Sequence, residues 1–228
     1  DYTKAIELFK LSRENNFEPG IYASSLYWIA EAYYQLSDYD NANDAFSEFL
    51  SSSGSISLPY YTKAYYGMAY TNYKQKKYKG AIFWFREYVD NAKAKNIGLI
   101  NDALLRLGDA YFIQKDYRNA IEYYDKAKVI QASNVDYAIM QSALASGVLG
   151  NYQEKTIKLK ELIALKSNSI YKDDALFELG KSFLILNKES DALAYYNKLI
   201  IEYPNSTFLP EAYLKVGLIN FNMNQDDL

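Results

Sequence analysis

The stretch that decides the fold covers residues 104–127 and reads LLRLGDAYFIQKDYRNAIEYYDKA. Apolar residues recur at offsets of three and four on both sides of Gln114, Lys115 and Asp116, and such offsets place side chains on one face of an α-helix. Three polar residues between two helical patterns are too few to do more than reverse the chain. The stretch therefore predicts two antiparallel helices joined by a tight turn.

The same pattern recurs along the whole chain. The series Tyr117, Ala120 and Tyr124 returns, with substitutions, at intervals of 35–39 residues. It alternates with a second signature, a bulky residue followed four positions later by a small one, which lets a neighbouring helix approach closely. Each repeat is thus predicted to be a pair of packed helices. The copies of the second signature are Leu26/Ala30, Tyr65/Ala69, Leu104/Gly108, Ile139/Ala143, Leu176/Gly180 and Tyr213/Gly217.

The repeats predict an all-α protein of about twelve helices without strands. The prolines support this prediction, because they fall before a helix or in its first turn, where a missing N–H is harmless. The predicted helices span residues 1–14, 21–36, 39–52, 60–75, 78–94, 100–114, 117–130, 135–149, 152–166, 172–186, 189–202 and 209–224, with ends uncertain by about two to four residues.

One continuous array is predicted over residues 1–228. Full repeats are expected at about 21–59, 60–99, 100–134, 135–171 and 172–208, between partial repeats at 1–20 and 209–228. The chain starts at Asp1 without a leader pattern, and its last predicted helix carries apolar residues with no later partner. We therefore expect a piece of a longer protein, in which Leu218 or Phe221 is partly exposed.

Composition argues against most catalytic classes. The chain has no His and no Cys, which removes the commonest zinc ligands, thiol nucleophiles and the usual general base. A net charge of −3 and few arginines argue against nucleic acid as a partner. Apolar runs such as residues 81–85 are far shorter than the roughly 18 residues of a membrane span. We expect a non-catalytic protein with no cofactor, no metal, no nucleic acid and no membrane span.

The predicted unit is a helix, a tight turn and a second helix, with bulky, small, aromatic and alanine residues in this order. Such a unit resembles the tetratricopeptide repeat. The resemblance covers essentially the whole chain and implies a right-handed α-α superhelix, a solenoid of helix pairs. One repeat departs from the pattern, with Ser142 and Ser146 at core positions and Lys155 in place of alanine, so we expect its packing to be the least secure. The best copies are carried by Leu104, Leu107, Gly108, Tyr111, Tyr117, Ala120, Tyr124 and Ala127, and by Leu176, Leu179, Gly180, Phe183, Ala192, Tyr196, Leu199 and Pro204.

The resemblance also implies where a partner binds. In this family the first helix of each pair lines a concave groove that holds extended or helical peptides. The groove positions lie six and three residues before the small residue, and one and four after it. They correspond here to Tyr27, Glu31, Tyr34, Lys63, Tyr66, Tyr70, Tyr73, Asp102, Leu105, Asp109, Phe112, Tyr137, Met140, Phe177 and Lys181.

The composition of this groove predicts the character of the partner. Tyrosine offers a large apolar face and a hydrogen-bonding hydroxyl at low entropic cost, so an apolar or mildly basic protein or peptide segment fits best. The other interpretation is that aromatic residues at helical spacing pack on each other. A clamp for acidic chaperone tails needs Lys three residues before the small residue, but Tyr27, Tyr66 and Leu105 stand there, so this role is excluded.

Tyr203, Pro204, Asn205 and Ser206 form a joint that is similar to the Tyr-Pro-x-Ser joints of bacterial envelope repeat proteins, such as those of outer-membrane assembly and the Tol system. The similarity favours a scaffold in a bacterial envelope complex, periplasmic or associated with the outer membrane; the absence of Cys fits the cytoplasm as well. The alternative is an accessory region of a larger enzyme or signalling protein with its catalytic domain elsewhere. Self-association through the terminal helices is a third option.

Overall fold

The computed structural model describes residues 1–15, 18–92, 96–130, 134–165 and 168–225. Within these ranges the chain is all-helical, with twelve α-helices, one short 3-10 helix and no strand. The chain divides into two compact units, Asp1–Asp116 and Tyr117–Leu228.

The first unit contains six α-helices and the 3-10 helix Ser55–Ser57. Each α-helix packs against the next along the chain, and the second α-helix also contacts the fourth. The helices are α1 (Tyr2–Glu14), α2 (Pro19–Gln35), α3 (Tyr39–Ser51), α4 (Tyr61–Lys74), α5 (Tyr78–Asn91) and α6 (Ile97–Ile113).

The second unit contains the other six helices, which also pack in chain order. Its core brings together Ile139, Leu159, Leu176 and Leu199, which come from four successive helices. The helices are α7 (Tyr117–Ile130), α8 (Val135–Val148), α9 (Tyr152–Ala164), α10 (Lys172–Ile185), α11 (Glu189–Glu202) and α12 (Leu209–Gln225).

The predicted all-α class and helix number are confirmed, and the described helix ends lie within three residues of the predicted ones. The predicted ends at 94 and 166 fall outside the described residues. Helix α2 starts two residues earlier than predicted, at Pro19, because a proline in the first helical position loses no hydrogen bond. No helix in the described ranges combines the length and apolarity needed to cross a bilayer.

Five turns between helices are built alike. Each holds one residue in the left-handed conformation, with φ between 55° and 76°, two positions before the next helix. The following N–H then donates to a carbonyl five residues back, as from Asp38 to Tyr33 at 2.9 Å, which satisfies a free carbonyl at the helix end. The left-handed residues are Ser37, Lys76, Lys115, Gly150 and Asn187.

The repeated small and aromatic positions form the core, as predicted. Ala42, Ala81 and Phe46 are fully buried in the first unit, and Ala192 and Tyr196 in the second. Gly180 explains the need for a small residue: a Cβ built there would lie 2.6 Å from the ring of Tyr196, closer than real Cβ contacts come. At Gly180 the signature thus marks a point where two helices approach closely.

The repeat formed by α8 and α9 accommodates its polar residues through hydrogen bonds. Ser142 donates to Asp125 at 2.8 Å, and the Nζ of Lys155, a residue only 6% exposed, lies 2.5 Å from Glu178 Oε2. Burial alone would raise the pKa of Glu178, but hydrogen bonds from Lys155 and Lys181 outweigh it and lower that pKa. These polar groups are buried with partners, and the expectation that this repeat packs least securely stays a prediction.

The last helix leaves apolar side chains exposed. In α12, Leu218 is 48% and Phe221 is 61% exposed. The expectation of partial exposure at these two positions is confirmed.

Candidate functional site

A pocket of about 340 Å³ opens in the first unit, among helices α2, α3, α4 and α6. Its size lies near the lower end of the range of small-ligand sites, about 300–1,000 Å³, so it has room for a large side chain rather than for a helix. We call it the aromatic pocket. It is lined by Tyr27, Glu31, Tyr34, Gln35, Phe46, Lys63, Tyr66, Gly67, Tyr70 and Leu99.

The structure brings six of the implied groove residues together in the aromatic pocket. They come from the first helices of two successive repeats, α2 and α4, as the family resemblance implied. The six are Tyr27, Glu31, Tyr34, Lys63, Tyr66 and Tyr70. Tyr27 is only 5% exposed and belongs to the hydrophobic core beneath the pocket, which corrects its assignment to the groove surface.

Phe46 and Gly67 form a closely packed part of the pocket lining. Phe46 is fully buried, and a Cβ built on Gly67 would lie only 2.3 Å from the Cζ atom of Phe46. Only glycine lets the backbone of α4 approach this ring. The ring of Tyr27 meets Phe46 edge-on, with the centroids 6.0 Å apart, so this part of the lining is closely packed.

On one side of the pocket, a single carboxylate from α6 holds two tyrosines of α4. The hydroxyls of Tyr66 and Tyr70 donate to Asp102 Oδ2 at 2.7 and 2.5 Å. Burial and then the hydrogen bond to Asp102 raise the pKa of both hydroxyls, so both stay protonated donors. Arg106 lies 3.5 Å from the other oxygen of Asp102 and also pairs with Asp109. These contacts hold the two hydroxyls, while the two rings pack on each other and on Phe85 and keep part of their surface at the pocket.

On the α2 side, Glu31 lies between Tyr27 and the exposed Lys63. Burial raises the pKa of Glu31, while a hydrogen bond from Tyr27 and the charge of Lys63 lower it without cancelling the rise. Burial also raises the pKa of Tyr34, with smaller contributions from Tyr39, Glu31 and Asp102. A half-buried carboxylate thus faces a largely aromatic pocket.

Other implied groove residues of the first unit do not line the pocket. Tyr73 packs against Tyr78 and Phe85, with ring centroids 5.6 and 6.4 Å away. The assignment of Leu105 to the groove is wrong. This residue is 1% exposed, so it belongs to the core and has no surface for a partner. Asp109 is also buried and pairs with Arg106, and Phe112 is half-buried.

In the second unit the implied residues mainly pack on the protein itself. Met140 and Phe177 are buried in the hydrophobic core, which corrects their assignment to a groove. The ring of Phe177 stacks on Phe208 at 4.6 Å. Tyr137 is half-buried against two tyrosine rings, and Lys181 pairs with Glu178 at 2.8 Å.

Four lining residues are absent from the sequence-based set: Gln35, Phe46, Gly67 and Leu99. Phe46 carries a strong core signal, and Gly67 lies two residues before the small position of its repeat, so neither fits a groove register. Leu99 precedes the predicted start of its helix at residue 100. In the described part of the chain, no group of three or more acidic residues is placed to hold a metal ion.

The chain is built from antiparallel helix pairs that repeat along its length, and the pocket lies among the first helices of these pairs. These features define a helical-repeat protein. Three family models described as tetratricopeptide repeat match residues 27–96, 102–134 and 174–206, together more than half of the chain. The chain belongs to the tetratricopeptide repeat family, a fold that serves as a scaffold for protein–protein interaction.

Solved structures show the same fold. YrrB, described as a TPR protein with an unusual peptide-binding site, is similar at 19% identity and a TM-score of 0.67, over 91% of this chain and 98% of that one. MamA is similar at 24% identity and a TM-score of 0.60, over 75% and 86%. BtubC from P. vanneervenii is similar at 13% identity and a TM-score of 0.58, over 87% and 86%. At these identities the likeness concerns the fold alone.

Proposed function

We propose that the chain is a non-catalytic scaffold that binds a peptide or protein segment, and that the aromatic pocket holds the principal side chain of that segment. One observation carries the proposal: an open pocket of about 340 Å³ is lined by four tyrosines, two of which are held by hydrogen bonds to Asp102. A site that is ordered before binding loses less entropy when the partner arrives.

The lining tyrosines differ from those that only pack. Tyr88, Tyr124 and Tyr196 are fully buried in the helix core. Tyr34, Tyr66 and Tyr70 are half-buried and border open space. An aromatic residue that is fixed, amphipathic and partly open to solvent is the kind that dominates binding energy in interfaces.

The solved structures also support this proposal. The fold is similar to that of YrrB, whose description refers to a peptide-binding site. The mainly aromatic lining of the pocket suits an apolar or mildly basic segment better than an acidic one.

The test compares two neighbouring tyrosines of α2. Tyr34 lines the pocket, whereas Tyr33 lies outside it and accepts a hydrogen bond from Lys10 at 3.0 Å. Peptides are first selected from a displayed library of random short sequences, and their Kd is measured by calorimetry. We expect Tyr34→Leu to raise the Kd by about tenfold or more, because it removes a central aromatic contact.

The control variant Tyr33→Leu should leave the Kd nearly unchanged. Equal effects of the two variants would place binding outside the aromatic pocket, and failure to select any peptide would count against the function itself. Melting temperatures of both variants show whether either change acts through stability.

We further propose a bacterial envelope complex as the setting. The joint of Tyr203, Pro204, Asn205 and Ser206, which is similar to envelope-protein joints, supports this proposal. Immunodetection in fractions of the source cells tests it, and recovery in the cytoplasmic fraction alone would contradict it.

A further inference from the structure

We propose that the aromatic pocket takes a cationic side chain of the partner segment, in the first place that of an arginine. This inference rests on the proposed function and specifies the chemistry of the same site. It is carried by two features together, the tyrosine faces and the carboxylates around them.

The tyrosines provide one half of a cation site. Tyr34, Tyr66 and Tyr70 line the same small pocket and are each partly exposed. The faces of aromatic rings carry negative potential and attract cations, which is how aromatic cages recognise ammonium groups. Because the hydroxyls of Tyr66 and Tyr70 are bound to Asp102, a guest meets their rings rather than their donors.

Carboxylates provide the other half. Glu31 lines the pocket from α2, and Asp102 stands behind Tyr66 and Tyr70 on α6. Burial raises the pKa of the Tyr34 hydroxyl most, followed by Tyr39, and the charges of Glu31 and Asp102 raise it further. Both carboxylates therefore act on this part of the pocket. Of the neighbouring cations, Arg106 is paired with Asp102 and Asp109, and Lys63 is exposed.

The neighbours of Glu31 leave this carboxylate incompletely compensated. Lys63 lines the pocket as well, but its charge lowers the pKa of Glu31 less than burial raises it. Arg106 is occupied by two carboxylates. Glu31 is the acidic group that lines the pocket, and a carboxylate withdrawn from water gains strongly from a charged hydrogen-bond donor.

An arginine matches both halves at once. Its planar guanidinium stacks on aromatic faces and also donates a fork of hydrogen bonds to a carboxylate. A leucine of similar bulk would contact the rings but would withdraw Glu31 further from water without supplying a donor. The pocket therefore discriminates by charge as well as by shape.

The test uses the peptides selected from the random library on the full chain. We expect them to share an arginine or a lysine, and replacement of that arginine by the neutral isostere citrulline should weaken binding about tenfold. In Glu31→Gln, which keeps the shape of the side chain, the preference for arginine over citrulline should fall severalfold. The matched control is Glu48→Gln, since Glu48 is exposed on α3 and pairs with Arg13 outside the pocket.

The outcomes separate this inference from the proposed function. Selected peptides that bind through Tyr34 but share no cation, or that bind equally with citrulline, would overturn the cation inference and leave the function standing. An unchanged preference in Glu31→Gln would overturn the role of this carboxylate. Absence of any selected peptide would instead contradict the proposed function.

Discussion

Glu31 combines a position in the lining of the aromatic pocket with a cost to stability. Burial raises its pKa in the folded protein above the ordinary value of a glutamate. The folded state therefore binds more protons than the unfolded state in the pH range between these two values. Stability is lost as the pH rises through this range, from about 4.3 to the raised pKa, and the loss persists at neutral pH.

Replacing Glu31 with glutamine should therefore stabilise the unliganded protein at neutral pH. The glutamine side chain keeps the size and an acceptor for Tyr27 but removes the charge that burial disfavours. We expect Glu31→Gln to raise the Tm at pH 7 and to change it little at a pH below 4, where the native glutamate is itself protonated. Thermal denaturation followed by circular dichroism at both pH values measures this, and a lower Tm at pH 7 would show that Glu31 is stabilised by its neighbours instead.

At the residue scale, the sequence predicted the face of each helix better than the neighbours of each side chain. Tyr66, Tyr70 and Tyr73 share one helical face and all three rings pack on Phe85, but the first two also line the pocket. Helical periodicity gives the direction in which a side chain points. It does not give the distance to the next helix, which decides between open space and contact.

At the scale of the helix pair, the repeat signature carries most of the fold. Gly180 and Gly217 occupy the same register in successive repeats, four residues after Leu176 and Tyr213. Their surroundings differ completely. A Cβ on Gly180 would strike the ring of Tyr196, whereas a Cβ on Gly217 meets nothing within 4 Å.

This pair predicts opposite effects of the same substitution. Gly180→Ala should destabilise the protein by about 1–3 kcal/mol, because the buried Tyr196 ring has no free space to move into. Gly217→Ala should stabilise it by up to about 1 kcal/mol through helix propensity alone. Urea denaturation of both variants measures the difference, and destabilisation by Gly217→Ala would mean that another segment packs on this face of α12.

The joints between repeats were only partly predictable. The sequence drew attention to Ser206 through its Tyr-Pro-Asn-Ser motif, and Ser206 donates to Asp173 at 2.8 Å. The preceding joint makes the same bond, from Ser169 to Asp136 at 2.6 Å, without a proline. The shared element is an Asn-Ser pair with an aspartate 33 residues before the serine, a long-range relation that no local motif reveals.

At the scale of the whole chain, the candidate site belongs to one part of the molecule. All residues that line the aromatic pocket lie between Tyr27 and Leu99. In repeat arrays each repeat contacts only its neighbours, so stability is distributed along the chain. The number, order and pairing of the helices were predictable because every repeat contains the same local sequence pattern.

We expect a fragment of residues 1–134 to bind the selected peptides with a Kd close to that of the full chain. The fragment ends at a predicted repeat boundary and contains the whole pocket. The complementary fragment 135–228 should not bind them. Calorimetry on both fragments, after circular dichroism has confirmed their helicity, is the measurement. Binding by residues 135–228 would contradict the location of the binding site in the aromatic pocket.

The five similar turns bear on the order in which the molecule assembles. Each is closed by a hydrogen bond that spans only five residues, so a helix pair forms from local contacts, which are the fastest to make. The aromatic pocket needs residues from α2, α3, α4 and α6, and it exists only after three helix pairs have come together. A chain still emerging from the ribosome thus has helices before it has the pocket, and the pocket needs no residue of the second unit.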